Sequence, residues 1–156
     1  MKILYAIQAT GNGHISRARE IIPVLQQKCE LDILISGTQA DVTLPHPVKY
    51  RFKGISLIYN NKGGLSLLKT AGQLKFRQIK KEIAQVPVEE YDLVINDFEP
   101  VSAWACHFKN IPCISLSHQA AVANPLSPKP FIKDLAGTLV LKYFAPCREK
   151  FGFHFE

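Results

Sequence analysis

Short apolar runs alternate along this chain with stretches of helical length, and that alternation limits its fold more than any other feature. KILYAIQA, residues 2–9, is a β-rich run that ends at a glycine turn, and a helical stretch follows over about 14–28. Pro23 falls inside that stretch and is expected to kink the helix or split off its first turns, since proline lacks a donor and clashes one turn back. LDILIS, 31–36, reads as a second buried strand closing on Gly37. VKYRFKGI, 48–55, alternates enough for a strand nearer an edge, with Pro45 and Pro47 on its approach.

The loop YNNKGG then leads into a long helix predicted over about 65–86. Leu65, Leu68, Phe76, Ile79 and Ile83 recur at three- and four-residue spacing along it, with Gly72 in the same stripe, while Lys69, Lys75, Arg77, Lys80 and Lys81 make the other face basic. YDLVINDF, 91–98, is a near-continuous apolar strand of the parallel-sheet kind. Pro100 opens a helix through about residue 109. IPCISLSHQ, 111–119, is the next strand and runs out into His118; after the loop NPLSPKP a final helix is predicted over about 131–144. The order β-α-β-β-α-β-α-β-α predicts an α/β domain, a doubly wound Rossmann-like parallel sheet.

At 156 residues the chain makes one domain. Its net charge of +6 favours anionic partners, nucleotide phosphates or a membrane surface. No nucleic-acid motif or aromatic platform accompanies that charge, so nucleic acid is not an expected partner. Cys29, Cys106, Cys113 and Cys147 show no C-x-x-C pair and no metal-ligand spacing, which reads as buried reduced thiols and no metal. The start lacks a signal h-region and a cleavage site, and no stretch approaches the roughly 20 apolar residues that span a bilayer. These features point to a soluble, cytoplasmic chain. The basic helix face reads first as a solvated surface; with Leu67, Leu74 and Phe76 nearby it also fits peripheral contact with the inner face of a membrane.

Ligands of doubly wound sheets bind at the carboxyl ends of the strands, at the switch point of strand order. Four polar segments are expected on that edge: 11–14, 36–38, 97–99 and 117–119. Gly11 and Gly13 match the first two glycines of the dinucleotide fingerprint, but the third position is Ser16 and Ser36-Gly37-Thr38 offers no acid for a ribose. An NAD(P)-binding domain, or a non-catalytic nucleotide-binding module, is therefore the second reading, and no cofactor is expected under the first. Gly11, Asn12 and Gly13 can present backbone N–H groups to an anion at a helix start. His14 beside them is a candidate general base, and Asp97 is the carboxylate for its other nitrogen. Asp97 could equally cap the helix that begins after Pro100. Ser117, His118 and Gln119 are candidate acceptor contacts, or simply the end of a strand. Asn60, Asn61, Gly63 and Gly64 read as a mobile loop of the kind that covers an acceptor.

GNGHISRARE, followed by a helix, resembles the G-x-G-H-x-x-R-A segment of GT-B glycosyltransferases, closest to the MurG-type lipid-linked GlcNAc transferases and the UDP-glycosyltransferases. DLVINDFEPVSAWACHFKNIPCISLSHQ resembles a later strand-helix-strand of their N-terminal domain. The resemblance implies two Rossmann-like domains facing across a cleft, one mainly for the acceptor and one for the nucleotide sugar. Residues 1–156 correspond to the N-terminal, acceptor-side domain, without the C-terminal donor domain, and such a fragment is expected to be inactive alone. It further implies an inverting transfer in which His14 is the base, Asp97 its partner, and Gly11, Asn12 and Gly13 face the donor diphosphate. Asn12 stands where lipid-linked members usually carry a second glycine run, which leaves the acceptor class open. REKFGFHFE ends on apolar residues straight after a helix, as one half of a two-domain protein would.

Overall fold

Strand β1 (Lys2–Gln8) is buried from Ile3 to Gln8, because it is covered on both faces. Its alternate residues enter two different cores. Leu4 and Ala6 join Leu34, Val94, Val101 and Ala105, whereas Ile3, Tyr5 and Ile7 pack with Ile15, Ala18 and Ile22. This division makes the chain a three-layer α/β domain. The computed structural model describes residues 1–38, 40–58, 66, 70, 72, 74–128 and 135–153. Alongside β1 lie β2 (Glu30–Ser36), β3 (Tyr50–Phe52), β4 (Leu93–Asp97), β5 (Cys113–Ser117) and β6 (Glu149–Gly152). They form one sheet of order β3-β2-β1-β4-β5-β6, with every pairing parallel. The order reverses between β1 and β4, so the crevice between their carboxyl ends is the switch point.

Helix α1 (Asn12–Gln26) follows β1 and buries Ile15, Ala18 and Ile22 at helical spacing against the sheet. It runs unbroken through Pro23, contrary to the expected split. Pro23 and Arg19, whose carbonyl the proline leaves without a donor, are both exposed, so water can satisfy that carbonyl. Helix α3 (Pro100–Lys109) has the expected bounds and covers the other face with Val101, Ala105 and Cys106. Its C-cap Asn110 takes the left-handed conformation (φ 58°) common at helix ends.

The predicted long helix is interrupted: Thr70 and Gly72 lie in helical conformation ahead of a break. Helix α2 spans Phe76–Gln85, and Leu74 and Lys75 before it are not helical. Phe76 is consequently 72% exposed rather than part of the core stripe, while Ile79 and Ile83 remain half-buried. A buried carboxylate docks this helix instead: Glu82 accepts from Lys53 N (3.2 Å), Gly54 N (3.0 Å) and Gln78 Nε2 (2.7 Å). Leu65, Leu67, Leu68 and Lys69 lie outside the described residues, as do Asn60, Asn61, Gly63 and Gly64 of the expected loop.

Strand β5 stops at Ser117, and His118 opens a short helix α4 (His118–Ala123). Helix α5 covers Leu135–Tyr143. The final residues, read from sequence as an abrupt end, supply the sixth strand, whose side chains are all exposed on the sheet edge. Among the described residues no helix is long and apolar enough to cross a membrane.

Candidate active site at the carboxyl edge of the sheet

The turn after β1 delivers His14 to the switch point from the first turn of α1. A Cβ built on Gly11 or Gly13 would meet nothing within 4 Å, so the start of α1 lies open to an approaching group. Asn12 Oδ1 accepts from Asp41 N (3.0 Å) and Val42 N (3.3 Å), and so holds the segment after β2 against the helix start.

Asp97 ends β4 and is fully buried. Phe98, next in the chain, has φ 59°, a conformation bulky residues rarely adopt. This sharp turn separates two carboxylates of different duty. Glu99 turns inward as the N-cap of α3, accepting from Val101 N and Ser102 N at 2.7 Å each and from Ser36 Oγ at 2.5 Å. Burial pushes its carboxyl up from the ordinary value, against the opposing pull of those donors. The cap expected of Asp97 as its alternative role thus belongs to Glu99, and Asp97 is left to α1.

Across the crevice His14 Nδ1 lies 2.9 Å from Asp97 Oδ1. Arg17, one turn further along α1, clamps the same carboxylate: Nη2 reaches Oδ1 at 2.7 Å and Oδ2 at 2.8 Å, and Nε reaches Oδ2 at 3.1 Å. The guanidinium is also stacked by the Phe153 ring, 5.1 Å away, just beyond β6. These contacts decide the imidazole tautomer. An ionised carboxylate only accepts, so Nδ1 carries the proton, and the 3.0 Å approach of Arg17 Nη2 to Nδ1 is proximity rather than a donated bond. The lone pair then sits on Nε2, where the Gln119 amide nitrogen donates at 3.3 Å. Gln119 Oε1 is buried and has no partner among the described residues; nor has the Tyr5 hydroxyl, which burial and then the Asp97 charge push up.

Of the residues singled out in the sequence, His14, Asp97 and Gln119 therefore converge, with Gly11 and Gly13 open beside them. Ser117 is buried, and its hydroxyl caps α4 by accepting from Ala120 N (3.1 Å). His118 is exposed at the start of α4. Arg17 and Glu99 are the residues that sequence reasoning missed. Arg17 stands three positions from His14 and hence on the same helix face, and Glu99 immediately precedes a helix-opening proline.

The supporting loops explain two glycines. Gly37 has φ 110°, and a Cβ there would fall 2.8 Å from the Ala9 carbonyl carbon. Gly54 has φ 58°, and its Cβ would meet Ser36 Oγ at 2.5 Å. The buried Gln8 Nε2 donates to Ile55 O (2.9 Å), tying the loop after β3 to the end of β1. Beside that loop a cavity of about 260 Å³ opens, lined by Thr38, Lys53, Ser56, Thr70, Lys75 and Gln78 among others.

A family model described as glycosyl transferase family 1 matches residues 1–143. Among solved structures, the chain is similar to SsfS6, a glycosyltransferase from Streptomyces sp. SF2575, with a TM-score of 0.51 and 15% identity over 98% of this chain and 50% of that one. A second similar structure is MurG from Acinetobacter baumannii, with a TM-score of 0.44 and 15% identity over 77% of this chain and 36% of that one. The chain thus spans half or less of the length of these proteins. No curated protein sequence matches it. The all-parallel sheet with its interleaved helices is that of one GT-B half, and by the match over most of its length the chain belongs to glycosyl transferase family 1.

Proposed function

We propose that residues 1–156 form the acceptor-side domain of an inverting glycosyltransferase, in which His14 is the general base. The observation that carries this reading is the His14–Asp97 pair across the switch point, with its proton on Nδ1 and its lone pair on Nε2. In this reading an acceptor hydroxyl displaces the Gln119 amide from Nε2 and gives its proton to His14. The hydroxyl oxygen attacks the anomeric carbon, and the nucleoside diphosphate leaves from the opposite face, so the configuration inverts in one displacement. Asp97 is already paired with a two-pronged guanidinium, so its part is chiefly to hold the imidazole in orientation and tautomer.

The donor is a nucleotide sugar held mainly by a further domain, and the open start of α1 beside Gly11, Asn12 and Gly13 suits the charge that builds on its diphosphate. The cavity beside β3 offers room for an acceptor on the same edge, and Lys53 and Lys75 at its wall favour one bearing an anionic group. Peripheral contact with an anionic membrane belongs to the same proposal, through the exposed start of α2. The dinucleotide alternative finds little support, because the Ser36 hydroxyl at the end of β2 is spent on the buried Glu99 and, among the described residues, no carboxylate ends that strand for a ribose.

The test is the full-length protein carrying His14→Ala. Turnover is expected to fall by about 100-fold or more, the contribution of a positioned general base, with donor binding by calorimetry unchanged. Near-normal turnover would remove His14 as the base.

A further inference from the structure

Away from the carboxyl edge, three of the four cysteines gather on one side of the sheet. Cys113 opens β5, and Cys147 lies just ahead of β6; their sulfurs are 3.5 Å apart. The Arg148 amide donates to the Cys113 carbonyl (3.2 Å), so the backbone itself holds the two residues side by side. Cys106 of α3 belongs to the same core cluster as Cys113 and Cys147. Cys106 and Cys113 are buried, whereas Cys147 is half-buried. A cavity of about 320 Å³ reaches this cluster, lined by His107, Asn110, Ile111 and Arg148 with the three cysteines.

We propose that Cys113 and Cys147 form a thiol–disulfide exchange site that takes low-molecular-weight disulfides through this cavity. Cys147, the more accessible thiol, enters first. Its thiolate attacks one sulfur of the small disulfide, forms a mixed disulfide and releases one small thiol. Cys113 then loses its proton to solvent and attacks the Cys147 sulfur, expelling the second small thiol. The protein loses two hydrogens and the small disulfide gains them. Interaction with the Cys106 and Cys147 thiols, together with burial, pushes the Cys113 thiol well above its ordinary range, so the closing step quickens as pH rises. The bridge would close a loop between positions 34 apart and anchor the strand that leads to Phe153, the ring stacked on Arg17. The site is independent of the glycosyl-transfer reading.

The test incubates the folded full-length protein with oxidised glutathione, followed by peptide mapping without reduction. The expected product joins the peptides of Cys113 and Cys147, and the oxidised protein melts about 5 °C or more higher. Cys113→Ser should stop at the glutathione adduct on Cys147, Cys147→Ser should form neither adduct nor bridge, and Cys106→Ser should still form the bridge. Should the buried Cys113→Ser substitution prevent folding, the loss of bridge in Cys147→Ser carries the test. A folded wild-type protein that keeps all its thiols free, or a bridge through Cys29 or Cys106, would overturn the proposal.

Discussion

Arg17 governs what the His14–Asp97 pair can do. Its guanidinium satisfies both oxygens of a fully buried carboxylate and leaves one edge of Oδ1 for the imidazole. Without it Asp97 would be a buried charge left, among the described residues, with the imidazole N–H alone. Arg17→Ala is expected to destabilise the fold by about 3 kcal/mol in chemical denaturation, the lower end for breaking a buried pair because Arg17 itself is partly exposed. Arg17→Lys keeps the charge but loses the fork. It should recover part of the stability, yet, if the proposed function holds, lower the kcat of glycosyl transfer about ten- to a hundredfold with KM little moved. The same variant should shift the His14 ring-nitrogen resonances away from the Nδ1–H tautomer. An unchanged tautomer with unchanged kcat would reduce Arg17 to a structural ion pair. His14 and Asp97 were legible in the sequence because a glycine turn and an acidic strand end are local signals. That Arg17 holds Asp97 was not, because nothing local in the sequence separates an arginine that turns into the crevice from one that turns to solvent.

Among the elements, the strands β1 to β5 were legible, the edge strand β3 included, whereas the limits of α2 and the last strand β6 were not. Pro100 marks the start of α3 from sequence alone, since proline suits the first helical position, and Glu99 supplies the cap. The predicted long helix fails at Leu74 and Lys75 because an apolar stripe does not reveal where its partner surface ends. Strand β6 was illegible for the opposite reason: EKFG has no buried face, and only the ladder to β5 makes it a strand. The amino end of the sheet carries a pH dependence of its own. Burial alone would raise the Asp32 carboxyl, but hydrogen bonds from Lys49 Nζ (2.6 Å) and Tyr91 Oη (2.7 Å) outweigh it and hold the group below its ordinary 3.8. A lowered folded-state value means that this stabilisation is complete above the unfolded value and is lost as pH falls through the folded one. Thermal melts of Asp32→Asn should therefore lie below wild type at neutral pH and converge with it as pH falls below 3.8. Parallel curves at every pH would remove Asp32 as the source.

On the scale of the whole molecule, the strand order brings the ends of β1 and β4 together and so creates the crevice that His14 and Asp97 share. The net charge of +6 is concentrated in part around the exposed Phe76, with Lys75, Arg77, Lys80 and Lys81 beside it. Each such cation near an anionic bilayer contributes about 1 kcal/mol at the surface, and salt screens it. The protein is expected to co-sediment with anionic but not neutral vesicles, less so as salt rises, and Phe76→Ala should weaken the binding. Sedimentation that is insensitive to salt and to lipid charge would leave α2 as a plain solvated face.

The sequence by itself determined the layered α/β class and the positions of its inner strands and helix starts. Those follow from hydrophobic period, glycine, proline and caps, which act within a few residues. It also determined that a histidine would stand at a glycine turn and an aspartate at a later strand end. The tertiary structure alone decided that Arg17 neutralises Asp97, that Gln119 covers the free imidazole nitrogen, that Glu99 is consumed as a cap, and that Cys113 meets Cys147. Each of these depends on which side chains occupy a shared volume after the sheet has twisted and closed its crevice, and no local pattern encodes that volume.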